Sequence, residues 1–184
     1  MQEAAGKRKA YIDPGIFERV RQGDQDAFRE LYELSYRPLY AFLLSYTQNS
    51  EDAQDLLQDT FVQIFSKSHL YQEQGNAMAW MMKIAKNLFL MQCRKERPER
   101  VDYESVENEI GFEDMADADN RMVLEKMFEI LSTEDRNLII LRDVSGLKHR
   151  EIAKLTGLPL GTVMARYNRA IRKLRKEFGE RRPI

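Results

Sequence analysis

The sequence predicts an all-α protein made of two small helical domains joined by a flexible acidic linker. Apolar residues recur at helical spacing along most of the chain, and strict alternation never extends beyond four or five residues. The 184 residues are 43% hydrophobic and include only nine glycines and five prolines, which is unlike a turn-rich β protein and sufficient for two modest cores. Between the two periodic portions, residues 98–119 are acidic and poor in periodic apolar positions, as expected of a linker.

The first predicted domain covers residues 10–97 and begins with two helices. One runs from about Pro14 to Gln22, with Asp13 at the N-cap position and Gly23 closing the helix. The next runs from about Gln25 to Thr47. Pro38 lies inside it and is expected to kink or interrupt the helix, because proline lacks the backbone N–H that the helix needs.

Two more helices complete this domain. The third is predicted from about Glu51 to Lys67, with Ser50 as a plausible N-cap. Its apolar positions form one stripe that should face inward: Ala53, Leu56, Leu57, Thr60, Phe61, Ile64 and Phe65. The fourth is predicted from about Ala77 to Arg97, after a polar loop over residues 68–76, and it ends at Pro98.

The second predicted domain covers residues 120–180 and ends in a helix-turn-helix. Helices are expected at about residues 120–131, 132–143 and 148–156, followed by a longer basic helix from about Gly161 to Phe178. Ala153 is small, as a close crossing of two helices requires, and Gly157 can adopt the positive φ of the tight turn. Apolar residues of the last helix repeat as a buried stripe: Val163, Tyr167, Ala170, Ile171, Leu174 and Phe178.

Charge and composition exclude several classes of protein. No run of residues approaches the roughly 18 apolar residues of a membrane span, and no apolar segment follows the basic N-terminus, so we expect a cytoplasmic protein without membrane insertion. One cysteine and two histidines are too few for a Cys/His zinc site, and we expect no metal and no cofactor. The net charge is −1 overall, yet residues 142–184 carry 12 basic and 4 acidic side chains, an asymmetry typical of an attached nucleic-acid-binding module.

The outer face of the last helix has the character of a recognition helix. Such a helix places N-terminal residues on base edges and cationic residues on phosphates. A solvated surface is the alternative for a basic helix taken alone. The coupling of the charge excess to a helix-turn-helix favours DNA binding, with Arg166 and Arg169 as candidate contacts to bases or phosphates.

These residues resemble region four of the extracytoplasmic-function (group 4) sigma factors of the sigma-70 family. The resemblance lies in Leu131-Ser132-Thr133-Glu134-Asp135-Arg136, in Glu151-Ile152-Ala153 and in Gly161-Thr162-Val163, with Arg166 and Arg169-Ala170 after them. The first domain resembles region two of that family through Asp52-Ala53-Gln54-Asp55-Leu56-Leu57-Gln58-Asp59 and through Trp80-Met81-Met82-Lys83-Ile84-Ala85-Lys86-Asn87-Leu88. The matches occur in the family's order, over about four-fifths of the chain.

The resemblance implies a promoter-specificity subunit of bacterial RNA polymerase rather than an enzyme. It implies binding to core polymerase at the β′ clamp helices and the β flap, binding to promoter DNA, and an inhibitory anti-sigma factor. The implied contacts to core polymerase are Asp52, Asp55, Leu56, Gln58 and Asp59. The implied contacts to the −10 element are Tyr71, Asn76, Lys83, Lys86, Asn87 and Arg94, and those to the −35 element are Thr162, Met164, Ala165, Arg166, Arg169 and Lys173.

Some readings stay open at this stage. The acidic side of the third helix is also compatible with an ordinary solvated face whose N-terminal acids complement the helix dipole, and Tyr71 either stacks on an unpaired base or packs on the domain. Met164 and Ala165 stand where family members commonly carry a basic residue and serine, which leaves the promoter sequence undetermined. The rival functions are a dimeric helix-turn-helix regulator, and an enzyme, for which no phosphate loop, nucleophile elbow or metal motif is present.

Overall fold

A computed structural model describes residues 12–72, 75–96 and 126–178, and every regular element within these ranges is helical. The predicted linker at residues 98–119 and the outer ends of both predicted domains lie outside the described residues. The all-α prediction is confirmed. No helix among the described residues is long and apolar enough to cross a membrane.

The N-terminal bundle consists of four helices: α1 (Gly15–Arg21), α2 (Gln25–Thr47), α3 (Ser50–Lys67) and α4 (Ala77–Glu96). A short 3₁₀ turn, Ser68–Leu70, follows α3. Helix α2 is central, because it packs against α1, α3 and α4. Its fully buried side chains supply much of the core with the inner faces of α3 and α4, so the bundle is held together mainly by apolar contact.

Short polar side chains cap the starts of α2 and α3. The Asp24 carboxylate accepts hydrogen bonds of 3.0 Å from the backbone N–H groups of Asp26 and Ala27. Asn49, and not Ser50, caps α3, since its side chain accepts from Glu51 and Asp52 at 2.9 and 3.0 Å. The predicted boundary was one residue late because Gln48 ends α2 in a left-handed conformation, which sets Asn49 in the extended geometry of an N-cap.

Two further predictions for this domain need correction. Helix α2 is uninterrupted through Pro38, which is buried. Proline in a helix interior costs about 3 kcal/mol, and the buried residues on both sides of Pro38 offset this cost by keeping the helix on the core. Phe65 does not face inward: it is 52% exposed and lies edge-on to Phe28, with ring centroids 6.0 Å apart.

The C-terminal domain contains a helical segment at residues 126–130 (α5), α6 (Thr133–Ile139), α7 (His149–Thr156) and α8 (Leu160–Phe178). Helix α6 continues into a π-helical turn, Ile140–Val144, whose bond from Ser145 N–H to the Ile140 carbonyl is 2.8 Å long. Helices α7 and α8 form the predicted helix-turn-helix. Gly157 has φ of 80° at the turn, as predicted for that position.

The two domains contact each other. Helix α2 packs against α6 and the π turn, and α4 packs against α7. The buried Ser45 hydroxyl of α2 donates a hydrogen bond to the Asn137 side-chain oxygen of α6. Buried apolar side chains of both domains therefore belong to one continuous cluster.

Candidate polymerase and nucleic-acid interfaces

The acidic face of α3 is exposed in the structure. Asp55, Gln58 and Asp59 point outward with Asp52, at the three- and four-residue spacing that aligns side chains on one side of a helix. Leu56 differs from the other predicted polymerase contacts, because only 3% of it is exposed and it packs in the core. Its apolar side chain follows the inward stripe of α3, and it presents no surface to a partner in this conformation.

An aromatic groove lies next to this acidic face, and the sequence interpretation missed it. Phe28 and Tyr32 of α2 and Phe61, Val62 and Phe65 of α3 line a cavity of about 800 Å³. Val62 is 64% exposed although it is a large aliphatic residue. Exposed apolar patches of this kind mark surfaces that bind other macromolecules. The signal available in the sequence was Val62, an apolar residue outside the inward stripe of α3.

One side of α4 carries the exposed residues predicted to contact the −10 element. Lys83, Asn87 and Arg94 are exposed, and their spacing of four and seven residues places them along one face of the helix. A lysine, an asparagine amide and an arginine along one face of a helix can bind a nucleic-acid backbone and one base edge. The structure thus brings these three predicted residues together.

Two other predicted contacts, Asn76 immediately before α4 and Lys86 within α4, form hydrogen bonds with the C-terminal domain. The Asn76 side chain caps α4 by accepting from Ala79 N–H at 3.2 Å, and it donates to the Glu151 carboxylate at 3.0 Å. The Lys86 amine donates to the Leu155 carbonyl at 3.0 Å. Burial lowers the pKa of Lys86 below its ordinary value.

Tyr71 packs within an aromatic cluster at the surface of the N-terminal domain. Its ring centroid lies 4.1 Å from that of Phe17 and 5.4 Å from that of Trp80, and its hydroxyl donates to the Gly75 carbonyl at 2.7 Å. Leu70, Gln72 and Gly75 line a cavity of about 310 Å³ together with Tyr71 and Trp80. Tyr71 therefore packs on the domain and also lines a cavity at its surface.

The outer face of α8 presents most of the residues predicted to contact the −35 element. Those that are exposed on this face are Thr162, Met164, Ala165, Arg169 and Lys173. Met164 is 44% exposed, so a large apolar side chain lies at the surface of this helix. Val163, Ala170 and Leu174 are buried on the opposite face, as predicted.

Arg166 has a structural partner that the sequence interpretation did not anticipate. Its Nε atom lies 2.8 Å from the Asp135 carboxylate, and a terminal nitrogen lies 3.6 Å from the Glu134 carboxylate. These contacts join α8 to the first turn of α6. The acidic residues stand 31 and 32 positions earlier in the chain, a separation at which helical periodicity carries no information.

No group of three or more His, Cys, Asp or Glu side chains suited to a metal ion occurs among the described residues. The surfaces described above carry charge, amides and aromatic rings. Their chemistry is that of binding to macromolecules.

Comparison with known proteins matches each domain to a family. Residues 31–99 match the family described as Sigma-70 region 2, and residues 121–174 match Sigma-70, region 4. The chain is 32% identical over 168 residues to the RNA polymerase sigma factor CarQ of Myxococcus xanthus, with 89% of this chain and 95% of that protein covered. It is 31% identical to the ECF RNA polymerase sigma-E factor of Escherichia coli K12, with 86% and 90% covered.

A longer relative and two solved structures extend this comparison. The ECF RNA polymerase sigma factor SigE of Mycolicibacterium smegmatis is 32% identical over 180 residues, and the chain spans 64% of its length. The sigma factor RpoE of Bartonella quintana, solved in complex with the anti-sigma factor NepR, has a TM-score of 0.59 at 25% identity over 84% of this chain and 98% of that one. CnrH, solved with the cytosolic domain of CnrY, shares the fold with a TM-score of 0.62 at 22% identity, over 92% and 99%.

Proposed function

The chain belongs to the extracytoplasmic-function family of RNA polymerase sigma factors, and we propose which of its surfaces bind core polymerase and which bind the promoter elements. A sigma factor directs RNA polymerase to specific promoters and acts in transcription initiation, as a regulatory factor rather than a classical enzyme. We assign residues 10–97 to polymerase and −10 binding and residues 120–180 to −35 binding, with residues 98–119 as the linker. The observation that carries the assignment is the occurrence of regions 2 and 4, in that order, on one chain.

In this proposal the acidic face of α3 binds core polymerase, at the β′ clamp helices. Asp55 and Asp59 are exposed and one helical turn apart, which suits a basic partner surface through charge complementarity. We assign binding of the β flap of core polymerase to region 4. Leu56 is left out of this assignment because it is buried.

Charge reversal tests the polymerase surface. We expect Asp55→Lys/Asp59→Lys to abolish binding to core polymerase while helicity by circular dichroism stays unchanged. Glu30→Lys/Glu33→Lys on α2 is the matched control, with two exposed acids at similar spacing on another helix. Polymerase affinity equal to that of the control would remove α3 from the assignment.

For the −10 element, Lys83 and Arg94 are assigned to phosphates and Asn87 to a base edge. Tyr71, beside the cavity it lines with Trp80, is assigned to an unpaired base, with Asn76 and Lys86 as further contacts. We expect Lys83→Ala to weaken binding of the polymerase complex on all sequences alike. Asn87→Ala should weaken binding to the preferred −10 sequence by about 1–3 kcal/mol. An equal loss of affinity for unrelated DNA would assign Asn87 to the DNA backbone instead.

For the −35 element, Arg169 and Lys173 are assigned to phosphates, and Thr162 and Ala165 to the base-reading end of α8. Met164 places exposed apolar atoms at the same end, a chemistry that suits the methyl group of thymine. On a −35 sequence selected from random DNA, replacing a thymine by deoxyuridine removes only that methyl group. We expect this replacement to weaken binding of the wild type but not of Met164→Ala; equal losses in both would exclude the contact.

Arg166 remains assigned to the −35 element, with the condition that it leaves or shares its ion pair with Asp135. We expect Arg166→Ala to weaken specific binding by about 1–3 kcal/mol if it reads a base. An equal loss on all DNA would mean that it binds a phosphate. Unchanged DNA binding together with reduced stability of the domain would mean that Arg166 only forms the ion pair with Asp135.

Proteins of similar fold have been solved in complexes, one of them with an anti-sigma factor. We propose that the present chain also binds an anti-sigma factor. We further propose that it is located in the cytoplasm, where polymerase and DNA are found. The deciding experiment mixes the purified chain with core polymerase and follows co-elution, then initiation on promoter DNA. A stoichiometric, initiating complex supports the proposal. A dimer that binds DNA and ignores polymerase would overturn it in favour of a stand-alone regulator.

A further inference from the structure

We propose that Met91 and Met164 are modification sites, at which a two-electron oxidant such as hydrogen peroxide forms methionine sulfoxide and thereby weakens the binding of promoter DNA. The inference rests on the proposed function, because both methionines lie on the helix faces that we assign to the −10 and −35 elements. Promoter binding would then depend on the oxidants to which the chain is exposed.

Burial separates these two methionines from the others that the structure describes. Met91 is 53% exposed and Met164 is 44% exposed. The remaining methionines of the described ranges lie in the apolar core: Met78, Met81, Met82 and Met127. An oxidant dissolved in water reaches an exposed sulfur and is excluded from a close-packed core. We therefore expect Met91 and Met164 to react first, while the core and the fold stay intact.

Met91 lies on the exposed face of α4 among the residues assigned to the −10 element. It follows Asn87 by four positions and precedes Arg94 by three, the spacing that aligns side chains on one side of a helix. Phe89, two positions earlier, is buried in the core. An apolar side chain that the core does not enclose therefore lies between an amide and a guanidinium on this face.

Met164 has a similar position on the second helix that is assigned to DNA. It lies near the start of α8, next to Ala165 and two positions after Thr162, at the end assigned to base reading. Val163 is buried on the opposite side of the helix. Each of the two helix faces assigned to promoter DNA thus carries one exposed methionine, and no methionine is exposed elsewhere among the described residues.

The modification is a two-electron oxidation of the thioether. A lone pair of the sulfur attacks one oxygen of hydrogen peroxide, an S–O bond forms as the O–O bond breaks, and the second oxygen leaves as hydroxide. The hydroxide takes the proton of the transferred oxygen, so the products are one sulfoxide and one water. The sulfur is oxidised and the peroxide is reduced. Methionine sulfoxide reductases reverse the modification, with one enzyme for each epimer of the sulfoxide.

The sulfoxide suits neither DNA surface. Oxidation makes an apolar side chain polar, and its new oxygen accepts hydrogen bonds but donates none. Phosphate oxygens and the O4 atom of thymine are acceptors too, so the sulfoxide oxygen loses water on binding and gains no donor from DNA. Where Asn87 or Arg94 donates to the sulfoxide instead, that donor is lost to DNA. Because a polar group buried without a partner costs free energy, we expect each sulfoxide to weaken promoter binding about fivefold.

The test uses the full chain, which is oxidised before core polymerase is added so that the polymerase does not meet the oxidant. Catalase removes the peroxide. Dithiothreitol restores the Cys93 thiol where it has formed a sulfenic acid or a disulfide, and it leaves methionine sulfoxide unchanged. Peptide mass spectrometry locates each sulfoxide. The readout is the ratio of the dissociation constants of the oxidised and the untreated polymerase complex on a promoter fragment selected from random DNA.

Leucine variants assign the effect to the two sites, because leucine is apolar and has no sulfur. We expect a ratio of about 25 for the wild type, about five for Met91→Leu or Met164→Leu, and about one for the double variant. Each variant is compared with its own untreated form, so a change in basal affinity does not enter the ratio. Adding Glu33→Met to the double variant is the matched control: it places an exposed methionine on α2, outside the proposed DNA surfaces, and its ratio should stay near one.

Glutamine variants test the same idea without an oxidant. Met91→Gln/Met164→Gln introduces polar side chains of similar length, and we expect it to bind the promoter more weakly than the double leucine variant while polymerase affinity stays unchanged. If circular dichroism shows that peroxide unfolds the chain, this pair of variants decides. Equal promoter affinity of the two double variants would then contradict the inference.

The outcomes separate this inference from the proposed function. Sulfoxide at both sites with a ratio near one in the wild type would overturn the inference. So would a loss of affinity that persists in the double leucine variant, or core methionines that react before Met91 and Met164. Polymerase binding is followed in the same samples. An untreated chain that binds polymerase and promoter but is insensitive to oxidation rejects the oxidation sites alone, whereas an untreated chain that binds neither rejects the proposed function and the inference with it.

Discussion

The two domains of this sigma factor are stabilised in different ways. The N-terminal bundle buries large apolar side chains, among them Leu31, Phe42 and Leu43. The C-terminal domain also buries a cation: Arg136 is 3% exposed, lies 4.0 Å over the Phe128 ring, and donates to the Phe128 carbonyl at 3.1 Å. Burial lowers the pKa of Arg136 to about 10. The smaller domain thus buries a charged group beside its apolar core, whereas the core of the larger domain is apolar.

This difference shows that a basic composition in the C-terminal domain does not translate directly into a DNA-binding surface. Arg142 donates to the Leu147 carbonyl at 3.0 Å, and Arg166 is bound to Asp135. Tyr167, on the partly buried stripe of α8, donates to the Asp143 carboxylate at 2.9 Å. Part of the positive charge counted in the sequence therefore holds the domain together, and only the remainder is available to DNA.

The largest expected effect comes from truncating the apolar core of the N-terminal domain. Leu43→Ala should lower its free energy of unfolding by about 2–5 kcal/mol, because burial is lost and a cavity remains. Trp80 is the single tryptophan of the chain and lies in this domain, so its fluorescence during urea unfolding reports the transition. Val62→Ala, at an exposed site of the same bundle, should stay within about 0.5 kcal/mol of the wild type. Similar losses for both variants would contradict an apolar origin of stability.

Removing the buried cation should have a smaller effect, and on the other domain. Arg136→Ala deprives the Phe128 carbonyl and the Thr133 hydroxyl of a donor, and we expect a loss of about 1–3 kcal/mol. Circular dichroism at 222 nm follows helices of both domains, while Trp80 fluorescence follows the first alone, so the transition that shifts can be assigned. Arg169→Ala removes an exposed arginine and should leave both transitions in place. An Arg136→Ala variant as stable as the wild type would mean that apolar packing alone maintains this domain.

The ion pair of Arg166 allows a test in which stability and DNA binding change in opposite directions. Asp135→Asn weakens the pair while leaving Arg166 intact, and we expect the domain to lose up to about 1 kcal/mol of stability. The released guanidinium and the lost negative charge should raise affinity for DNA and make its salt dependence steeper. Titration with duplex DNA at two salt concentrations measures both. Weaker DNA binding by this variant would instead show that Asp135 positions Arg166 for DNA.

The smallest expected effect is a pH dependence of the C-terminal domain. Burial, and then the nearby Arg142 charge, lower the pKa of His149 below 6.5, while Asp143 opposes the shift. The folded domain therefore binds fewer protons than the unfolded chain, so its stability is full above pH 6.5 and falls as the pH drops below that value. Thermal unfolding of the wild type and of His149→Gln between pH 7.5 and 5 checks this. The variant should lose part of the slope, and an identical slope would assign the effect to other groups.

Much of the fold could be predicted from the sequence because it depends on local patterns. Helical spacing of apolar residues indicated the helices of both domains, and Gly157 marked the turn of the helix-turn-helix. The errors were local as well. Ser50 was chosen as the cap in place of Asn49, since both residue types suit that position and only the left-handed Gln48 decides between them. Pro38 was expected to kink or interrupt α2, and the helix is not interrupted there.

Most helices, the order of the two domains and the family could be predicted from the sequence, because each depends on spacing along the chain. Which charged side chains are available to a partner depends instead on the tertiary structure. Lys86 contacts Leu155, Asn76 contacts Glu151, and Arg166 contacts Asp135, pairs separated by 69, 75 and 31 positions. Hydrogen bonds depend on distances in space of about 3 Å, and no periodicity along the chain encodes which distant residues come that close.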